Sequence, residues 1–408
     1  MKKKLLAALM AATCLLAGCS NGGSTSSTAS KTSTAGTSSA TSETSTSAAS
    51  TTESKDASAP ESATSSTEST AQTTSGANTV KAGFVYIGKI DDGGYTQAHD
   101  AGRKAVEAMG VETAYLEDVP ETVADTEEAI RILIEKGCNL IYTNSFGFME
   151  GTVEMAKEYP DVKFAHCSGY QRADNLSTYF GKVYQARYLS GIVAGMKTKA
   201  NKIGYVAAKG IPEVIRGINA FTLGVQSVNP DATVEVRFTD TWYDPAVEKQ
   251  AAIELLKSGV DVIAQHQETT APQVAAQGKG AFCIGYNFPT SDAAPNAYLT
   301  AACFNWPQFY TDDVQRAIDG TWSSRAYWEG LASNMTYLDK LTDLCAEGTQ
   351  EKVDEAQAKI ISGELEPFTG PLYDQDGNLK VEDGVKMTDD EIWNMSWFVK
   401  GVVGTIPQ

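Results

Sequence analysis

KAGFVYIGKIDDGGYTQAHDAGRKAVEAM, residues 81–109, contains the pattern that decides the fold class of this chain. Residues 81–88 are mostly apolar and rich in side chains that favour strands, and residues 95–109 carry apolar side chains at helical spacing. A loop with two glycines joins the two segments. A buried strand followed at once by a helix is the repeating unit of a parallel α/β sheet.

The same alternation continues along the chain in two series. The first series adds the predicted strands VETAYLED, NLIYTNS and VKFAHCS, with helices at 122–136 and 149–158. The second series has the strands KIGYVAA, TVEVRFTD, VDVIAQH and AFCIGYN, with helices at 213–228, 246–258 and 272–277. Short strands alternating with helices predict parallel sheets that are covered on both faces.

Two series of this kind predict two doubly wound parallel-sheet lobes joined by a hinge. We expect lobe 1 at residues 80–200, with return segments from about 301–408, and lobe 2 at residues 201–300. Ligands of open parallel sheets bind beyond the carboxyl ends of the strands. The loops that follow strands in both lobes should therefore face one shared cleft.

Residues 1–18 have the features of an export signal. Three lysines precede the apolar run 5–17, which is too short to span a membrane. The tetrad Leu16-Ala17-Gly18-Cys19 resembles the bacterial lipobox, in which the cysteine is acylated and becomes the mature N-terminus. An ordinary cleaved signal that contains a cysteine is the alternative. We expect Cys19 to be the lipidation site.

The segment 19–79 differs from the rest of the chain in composition. Between Ser20 and Thr79, 35 of 60 residues are Ser or Thr. Such a segment cannot bury enough apolar surface to offset its ordering entropy, and we expect a disordered tether. A tether of this length suits passage through a thick cell wall. We therefore expect a lipid-anchored protein on the extracytoplasmic face of the membrane of a Gram-positive cell.

Charge and the lack of catalytic motifs exclude several function classes. The 408-residue chain has a net charge of −18, so it should repel phosphate backbones and nucleic acid is not an expected partner. The sequence has three histidines and no GxSxG, HExxH, P-loop or Cys/His metal spacing. We expect no catalysis, no cofactor and no metal. The cysteines at 138, 167, 283 and 303 lie in apolar runs and should be buried as small hydrophobic residues.

Aromatic and polar side chains recur in the loops at the predicted strand ends. These rings, carboxamides and carboxylates are what a flat, neutral heterocycle with N–H donors needs, although sugars also stack on Trp and bind carboxylates. For any single ring, a place in the core is at least as good an interpretation. The predicted ligand-binding residues are Asp91, Asp92, Tyr95, Asn144, Phe146, Phe148, Trp242, Tyr243, Gln267, Glu268 and Asn287.

Several stretches resemble the basic membrane protein family of substrate-binding lipoproteins of ABC importers. They include KIDDGGYTQAHDAGRKA, TNSFGFM, YPDVKFAH and NLSTYFGKVYQARYLSGIVAGMKTKANKIGYVAA, and the resemblance covers about residues 81–405. It implies a type I periplasmic-binding-protein fold. The elements DGG-aromatic-T, SFGFM and TWYDP look like those of members that bind purine bases.

The resemblance also implies roles for single residues. Tyr95 matches a ring that stacks on the purine, Trp242 matches the opposing ring, and Asp92 and Asn144 match polar positions around the base. Asn287 falls where nucleoside-binding members place an Asp that holds ribose. Phe304 aligns with their ribose-contacting Lys. Both ribose contacts are thus altered, which favours a free base because hydrogen-bonding groups discriminate strongly.

The function that we expect is capture of a purine base between the two lobes and its delivery to an ABC permease, by a monomer without a cofactor. A purine nucleoside or a sugar is the alternative ligand. A sensor that presents its ligand to a receptor is an alternative role. A surface hydrolase or nucleoside-cleaving enzyme is the least favoured alternative.

Overall fold

The computed structural model describes residues 79–407. The predicted signal peptide at 1–18, the lipidation site Cys19 and the tether up to residue 78 lie outside the described residues. Within the described range, no helix is both long enough and apolar enough to cross a membrane.

The first sheet has six strands, all parallel to their neighbours. Their order across the sheet is β11-β5-β4-β3-β1-β2. The strands are β1 Lys81–Val85, β2 Glu112–Leu116, β3 Leu140–Thr143, β4 Lys163–Cys167, β5 Leu176–Gly181 and β11 Ala326–Glu329. We refer to this sheet and the helices packed on it as lobe 1.

The second sheet, with its helices, is lobe 2. It has seven strands in the order β12-β10-β9-β8-β6-β7-β15, and only the β10–β12 pair is antiparallel. The strands are β6 Lys202–Ala207, β7 Thr233–Phe238, β8 Val262–His266, β9 Phe282–Asn287, β10 Tyr298–Phe304, β12 Thr336–Leu338 and β15 Val402–Val403. A separate hairpin pairs β13 Leu372–Tyr373 with β14 Leu379–Val381.

Ten α-helices connect and cover the strands of the described chain. They are α1 Tyr95–Ala108, α2 Val123–Glu135, α3 Met149–Glu158, α4 Val183–Lys197, α5 Pro212–Val228, α6 Pro245–Lys257, α7 Ala271–Gln277, α8 Trp306–Ile318, α9 Thr349–Ile361 and α10 Asp389–Trp393. The expected α/β class with two parallel sheets is confirmed.

Local sequence signals explain where the site-forming helices begin. The α6 helix starts with Pro245, and the side chain of Asp244 accepts hydrogen bonds from two main-chain N–H groups of its first turn. At α1 the N-cap residue is a glycine, and the carboxylate of Asp92 instead accepts from main-chain N–H groups of the first turn. Both helices therefore begin at the carboxyl ends of the sheets, next to the cleft.

The chain crosses between the sheets three times, after β5, after β10 and after β11. The crossovers pack together closely, since a Cβ added to Gly181 would lie 2.7 Å from both Phe304 and Thr336. After the first crossover, α4 packs against α5 and β10 of lobe 2. The segment after residue 304 is divided between the lobes. Its α8 and β11 belong to lobe 1, and its β12 and β15 belong to lobe 2. Helix α4, which begins 18 residues before the expected lobe 2 boundary at 201, is buried along most of its length and packs against α5.

The cysteines lie where the apolar runs predicted them. Those at positions 138, 167, 283 and 303 are buried, and none of the five cysteines in residues 79–407 forms a disulfide. Burial raises the pKa of the Cys283 thiol to about 12. Such a thiol stays protonated and packs as a small hydrophobic group.

Candidate functional site

A cavity lies between the two lobes at the carboxyl ends of their strands. Protein atoms leave about 360 Å³ of space there, part of which is open to solvent. Its lining residues are Tyr95, Ser145, Phe146 and Ser168 from lobe 1, and Glu213, Trp242, His266, Glu268, Tyr286 and Asn287 from lobe 2. Both lobes therefore contribute rings and polar groups to one site, as the strand-end argument predicts.

The two lobes touch at the edge of this cavity. A Cβ added to Gly94 in lobe 1 would lie 2.0 Å from the carbonyl oxygen of Glu268 in lobe 2, so only glycine permits this approach. The neighbouring Gly93 has a φ of +79°, which favours glycine, and its Cβ position lies 3.9 Å from Thr270. The lobes are thus closed over the cavity, and the two-glycine loop of the opening motif forms the contact.

Glu268 is the most unusual polar group in the cavity. Its side chain is buried, and Oε2 has no hydrogen-bond partner in the described structure. Burial raises the pKa of Glu268 well above its ordinary value of 4.5, and the carboxylates of Asp92 and Glu248 raise it further. A protonated carboxyl group has one O–H donor and one carbonyl acceptor side by side. Glu268 can therefore pair with a ligand edge that has one acceptor next to one donor.

Asn287 ends strand β9 in a left-handed conformation, with a φ of +68°. Asn287 is fully buried, yet neither its Oδ1 nor its Nδ2 has a hydrogen-bond partner among residues 79–407. Ser168, across the cavity in lobe 1, also has a positive φ of 58°. Left-handed backbone at non-glycine residues is concentrated at binding sites, and buried carboxamides normally have partners. Both features of Asn287 indicate a group held ready for a ligand.

Aromatic rings enclose the cavity from both lobes. Tyr95 is fixed because its hydroxyl donates to the main-chain carbonyl of Asn144, and its ring packs edge-on against His99 at a centroid distance of 4.5 Å. Tyr286 lies 4.5 Å from the ring of His266, and Trp242 lies 6.3 Å from it. Phe146 is partly exposed at the rim. A flat apolar ligand can stack on rings held in this way.

His266 is held by lobe 2 residues on one edge of its ring. Its Nε2 lies 3.1 Å from the Tyr286 hydroxyl and 3.5 Å from Glu213 Oε1. Burial lowers the pKa of His266 to about 4, so the ring is neutral near pH 7. Within residues 79–407, no group of three or more His, Cys, Asp or Glu could hold a metal ion. The cavity offers hydrogen bonds and ring faces to a neutral molecule.

Five of the predicted ligand-binding residues line the cavity: Tyr95, Phe146, Trp242, Glu268 and Asn287. The structure places two further polar residues behind it. Asp92 is engaged at the start of α1, where its carboxylate accepts from the N–H groups of Gly94, Thr96 and Gln97. Asn144 accepts from the Ile87 N–H through Oδ1, while its buried Nδ2 has no partner in the described chain.

The other four predicted residues do not line the cavity. Phe148 is fully buried in the core of lobe 1, and Gln267 donates through Nε2 to the Thr239 hydroxyl. Asp91 is exposed, and Tyr243 is 49% exposed beside the cleft. Loop membership thus brought these residues near the cleft, but the direction of each side chain was set by its neighbours.

Five cavity residues were not predicted: Ser145, Ser168, Glu213, His266 and Tyr286. Ser145 and His266 lie in loops that the strand-end argument already named. Ser168 follows β4 and Glu213 opens α5 just after β6, so the same argument applied to every strand would have included them. Tyr286 lies in β9 directly before Asn287, at a strand end that the sequence already indicated as part of the site.

A closed cavity between two doubly wound lobes defines a two-lobed ligand-binding protein. Residues 79–367 match the family model described as ABC transporter substrate-binding protein, PnrA-like, and the chain belongs to this family. The members of this family are substrate-binding proteins of ABC transporters, which act outside the cytoplasm. The resemblance noted from the sequence is therefore confirmed.

Relatives support the same family and fold. A purine-binding protein of Brucella abortus is 41% identical over 332 residues, which cover 81% of this chain and 94% of the relative. A Haloferax volcanii protein named for glucose binding in an ABC transporter is 35% identical over 344 residues, covering 82% of this chain and 85% of that protein. A solved ABC transporter solute-binding protein from Aeropyrum pernix superimposes with a TM-score of 0.63 at 21% identity, over 70% of this chain and 92% of that one.

Proposed function

We propose that this substrate-binding protein captures a purine base between its lobes and delivers it to the permease of an ABC importer. The observation that carries the proposal is the pair Glu268 and Asn287. These buried side chains turn unpartnered donors and acceptors toward a cavity that is lined by aromatic rings. The purine-binding relative from Brucella abortus supports the same ligand class.

The chemistry of a purine edge matches these groups. A purine base has ring nitrogens that accept hydrogen bonds next to N–H groups that donate them. A protonated carboxyl at Glu268 and the carboxamide of Asn287 each provide one donor and one acceptor side by side. The rings of Tyr95 and Trp242, one from each lobe, can cover the faces of the base.

Glucose is the second candidate ligand, because the Haloferax volcanii relative is named for it. Sugar hydroxyls are good donors to ionised carboxylates. The pKa of Glu268 is raised by burial and by neighbouring carboxylates, so the ionised form is disfavoured in this cavity. This electrostatic environment favours the base over the sugar.

A thermal-shift panel on the full chain tests the ligand. Adenine, guanine, hypoxanthine and xanthine are compared with adenosine, inosine and glucose at equal concentration. A ligand at about 100 times its dissociation constant should add about 2.7 kcal/mol to the free energy of unfolding. We expect one or more free bases to raise Tm and glucose to leave it unchanged. Stabilisation by glucose or a nucleoside alone would contradict the purine-base proposal.

Prolonged incubation of the same samples addresses the other roles. We expect the bound molecule to be recovered unchanged by liquid chromatography, as a binding function requires. A cleaved nucleoside would instead place the protein among the nucleoside-cleaving enzymes. Uptake of the labelled base is then compared between wild-type cells and cells that lack this protein, which separates import from sensing. Loss of accumulation in the cells without the protein indicates import, since a sensor is not required for accumulation.

We also propose that the protein is a monomer held on the outer face of the membrane by lipid on Cys19. The lipobox-like tetrad at residues 16–19 supports the lipid anchor. Cys19→Ala should move the protein from the membrane fraction to the medium or the soluble fraction and abolish incorporation of labelled palmitate. Cys14→Ala, which lies inside the apolar run, is the matched control and should change neither readout.

A further inference from the structure

Arg187 is a buried cation that forms no salt bridge within residues 79–407. It lies on α4 and is fully buried. Its Nη1 donates to the main-chain carbonyl of Gln265 at 2.6 Å, and its guanidinium lies 3.8 Å from the ring centre of Tyr286. Nε and Nη2 have no partner in the described chain. An unbalanced buried charge is strongly unfavourable.

Two other orphaned polar atoms converge on the same point. The position that a Cβ would take on Gly217, in α5, lies 3.9 Å from Arg187 Nε, 3.8 Å from the Tyr205 hydroxyl and 3.7 Å from His266 Nδ1. Outside the backbone of α5 and the neighbours of Gly217, these are the nearest heavy atoms. The Tyr205 hydroxyl and His266 Nδ1 are buried and, like Arg187 Nε, lack hydrogen-bond partners in the described chain.

The three groups can all act as donors toward this point. Arginine only donates, and a tyrosine hydroxyl can donate to any acceptor. When the Tyr286 hydroxyl donates to His266 Nε2, which lies 3.1 Å away, the ring proton resides on Nδ1. The point beside Gly217 is then surrounded by N–H and O–H donors and one full positive charge. Such a set matches an anion better than a water molecule, which also needs acceptors.

We propose that a chloride ion binds beside Gly217 and is held by Arg187, Tyr205 and His266. The ion neutralises the guanidinium of Arg187 and gives each orphaned donor a partner. The three donor atoms lie 3.7 to 3.9 Å from one point beside Gly217, so they are close enough together to share a small monatomic anion. Because His266 also lines the interlobe cavity, the ion sits behind the cavity wall and helps to fix that ring.

Thermal unfolding of the full chain without its organic ligand tests the site directly. The protein is dialysed into sodium gluconate, and Tm is measured as chloride replaces gluconate at constant ionic strength. We expect a saturable rise in Tm of about 2 to 4 °C. A Tm that is the same in gluconate and chloride would overturn the proposal and leave a water as the partner of these groups.

Gly217→Ala is the sharpest variant, because its methyl group takes up space between the helix and the three donors and removes no donor. Alanine also favours a helix interior over glycine, so the variant should fold. We expect it to lose the chloride dependence of Tm. If the variant keeps the full dependence, chloride binds elsewhere and the proposal is wrong.

Arg187→Met provides a second variant without the positive charge, and it too should be insensitive to chloride. Gly278→Ala, at the exposed end of α7, is the matched control and should respond like the wild type.

A crystal soaked in bromide should show an anomalous peak beside Gly217 in the wild type and none in Gly217→Ala. A wild-type crystal without that peak would contradict a halide site. These readouts need no purine, so they fail or succeed independently of the proposed function.

Discussion

Glu268 shows how one residue acquires its chemistry from the fold. The sequence places it in a loop with other polar residues, where its carboxyl would ionise normally. In the structure it is buried, with Asp92 and Glu248 close enough to raise its pKa further. At the scale of the residue, burial and neighbouring charges thus decide whether the carboxyl group of Glu268 only accepts hydrogen bonds or also donates one.

The raised pKa of Glu268 predicts a specific pH dependence of stability. The folded state holds this proton more tightly than the unfolded state, whose pKa is near the ordinary value of 4.5. The free energy of unfolding should therefore fall as pH rises from about 4.5 toward the folded pKa. Urea unfolding of the wild type and Glu268→Gln across this range isolates the effect. We expect a shallower decline in the variant, and parallel curves would argue against a protonated Glu268.

Trp242 and His266 both line the cavity, but they should contribute differently to affinity. Stacking of a base on an aromatic ring is worth about 1–3 kcal/mol by alanine substitution. We expect Trp242→Ala to weaken purine binding by this amount in isothermal titration calorimetry, and His266→Ala to weaken it less. Equal losses in the two variants would count against stacking by Trp242.

At the scale of elements, the first strand–loop–helix unit does two things at once. Asp92 secures the start of α1 through three main-chain N–H groups, and this orients Tyr95 at the first position of the helix. The glycines at 93 and 94 then let the loop reach lobe 2. A motif that the sequence presents as a ligand contact is therefore also a helix cap and a lobe contact.

Gly94→Ala should block closure of the lobes while leaving each lobe folded. The added methyl would overlap the carbonyl oxygen of Glu268, which is main chain and cannot rotate away. We expect a loss of ligand affinity of at least 10-fold, or about 1.4 kcal/mol, by calorimetry, with little change in Tm without ligand. Gly278→Ala, the same substitution at an exposed site away from the lobe contact, should bind like the wild type. Normal affinity in Gly94→Ala would contradict the closed contact.

Strand β5 and helix α4 are among the elements that the sequence did not predict, and for these two the physical reason is clear. Strand β5 and helix α4 are buried along nearly their whole length, so neither shows the alternation of polar and apolar residues that marks a half-exposed element. Their burial results from the first crossover, where the chain leaves lobe 1 and α4 packs into lobe 2. Periodicity therefore predicted the helices that alternate with strands in the two series and missed the crossover between the lobes.

At the scale of the whole molecule, lobe closure would link the proposed ligand capture to delivery. Three crossovers meet at Gly181, Phe304 and Thr336, so movement between the lobes must occur through these short segments. Closure over a ligand buries the cavity and changes the outer surface that a permease can recognise.

Ligand binding should make the whole molecule more compact. Small-angle scattering of the full chain should show a smaller radius of gyration with a bound purine than without it, since an empty site leaves the open state populated. Gly94→Ala should show a reduced change, because its lobes cannot meet. Identical radii in the wild type with and without ligand would indicate that the closed form already dominates and that closure is not the signal.

The sequence by itself determined the alternation of strands and helices, the two-lobe class and the loops that carry the site, because periodicity and turn residues are local properties. It also predicted five of the residues that line the cavity, because they are aromatic or polar side chains at the ends of predicted strands. The tertiary structure alone decided that Phe148 packs in the core and that burial and neighbouring carboxylates raise the pKa of Glu268. Those properties depend on which distant segments bury a side chain, and burial is set by the packing of the two sheets rather than by neighbours in the chain.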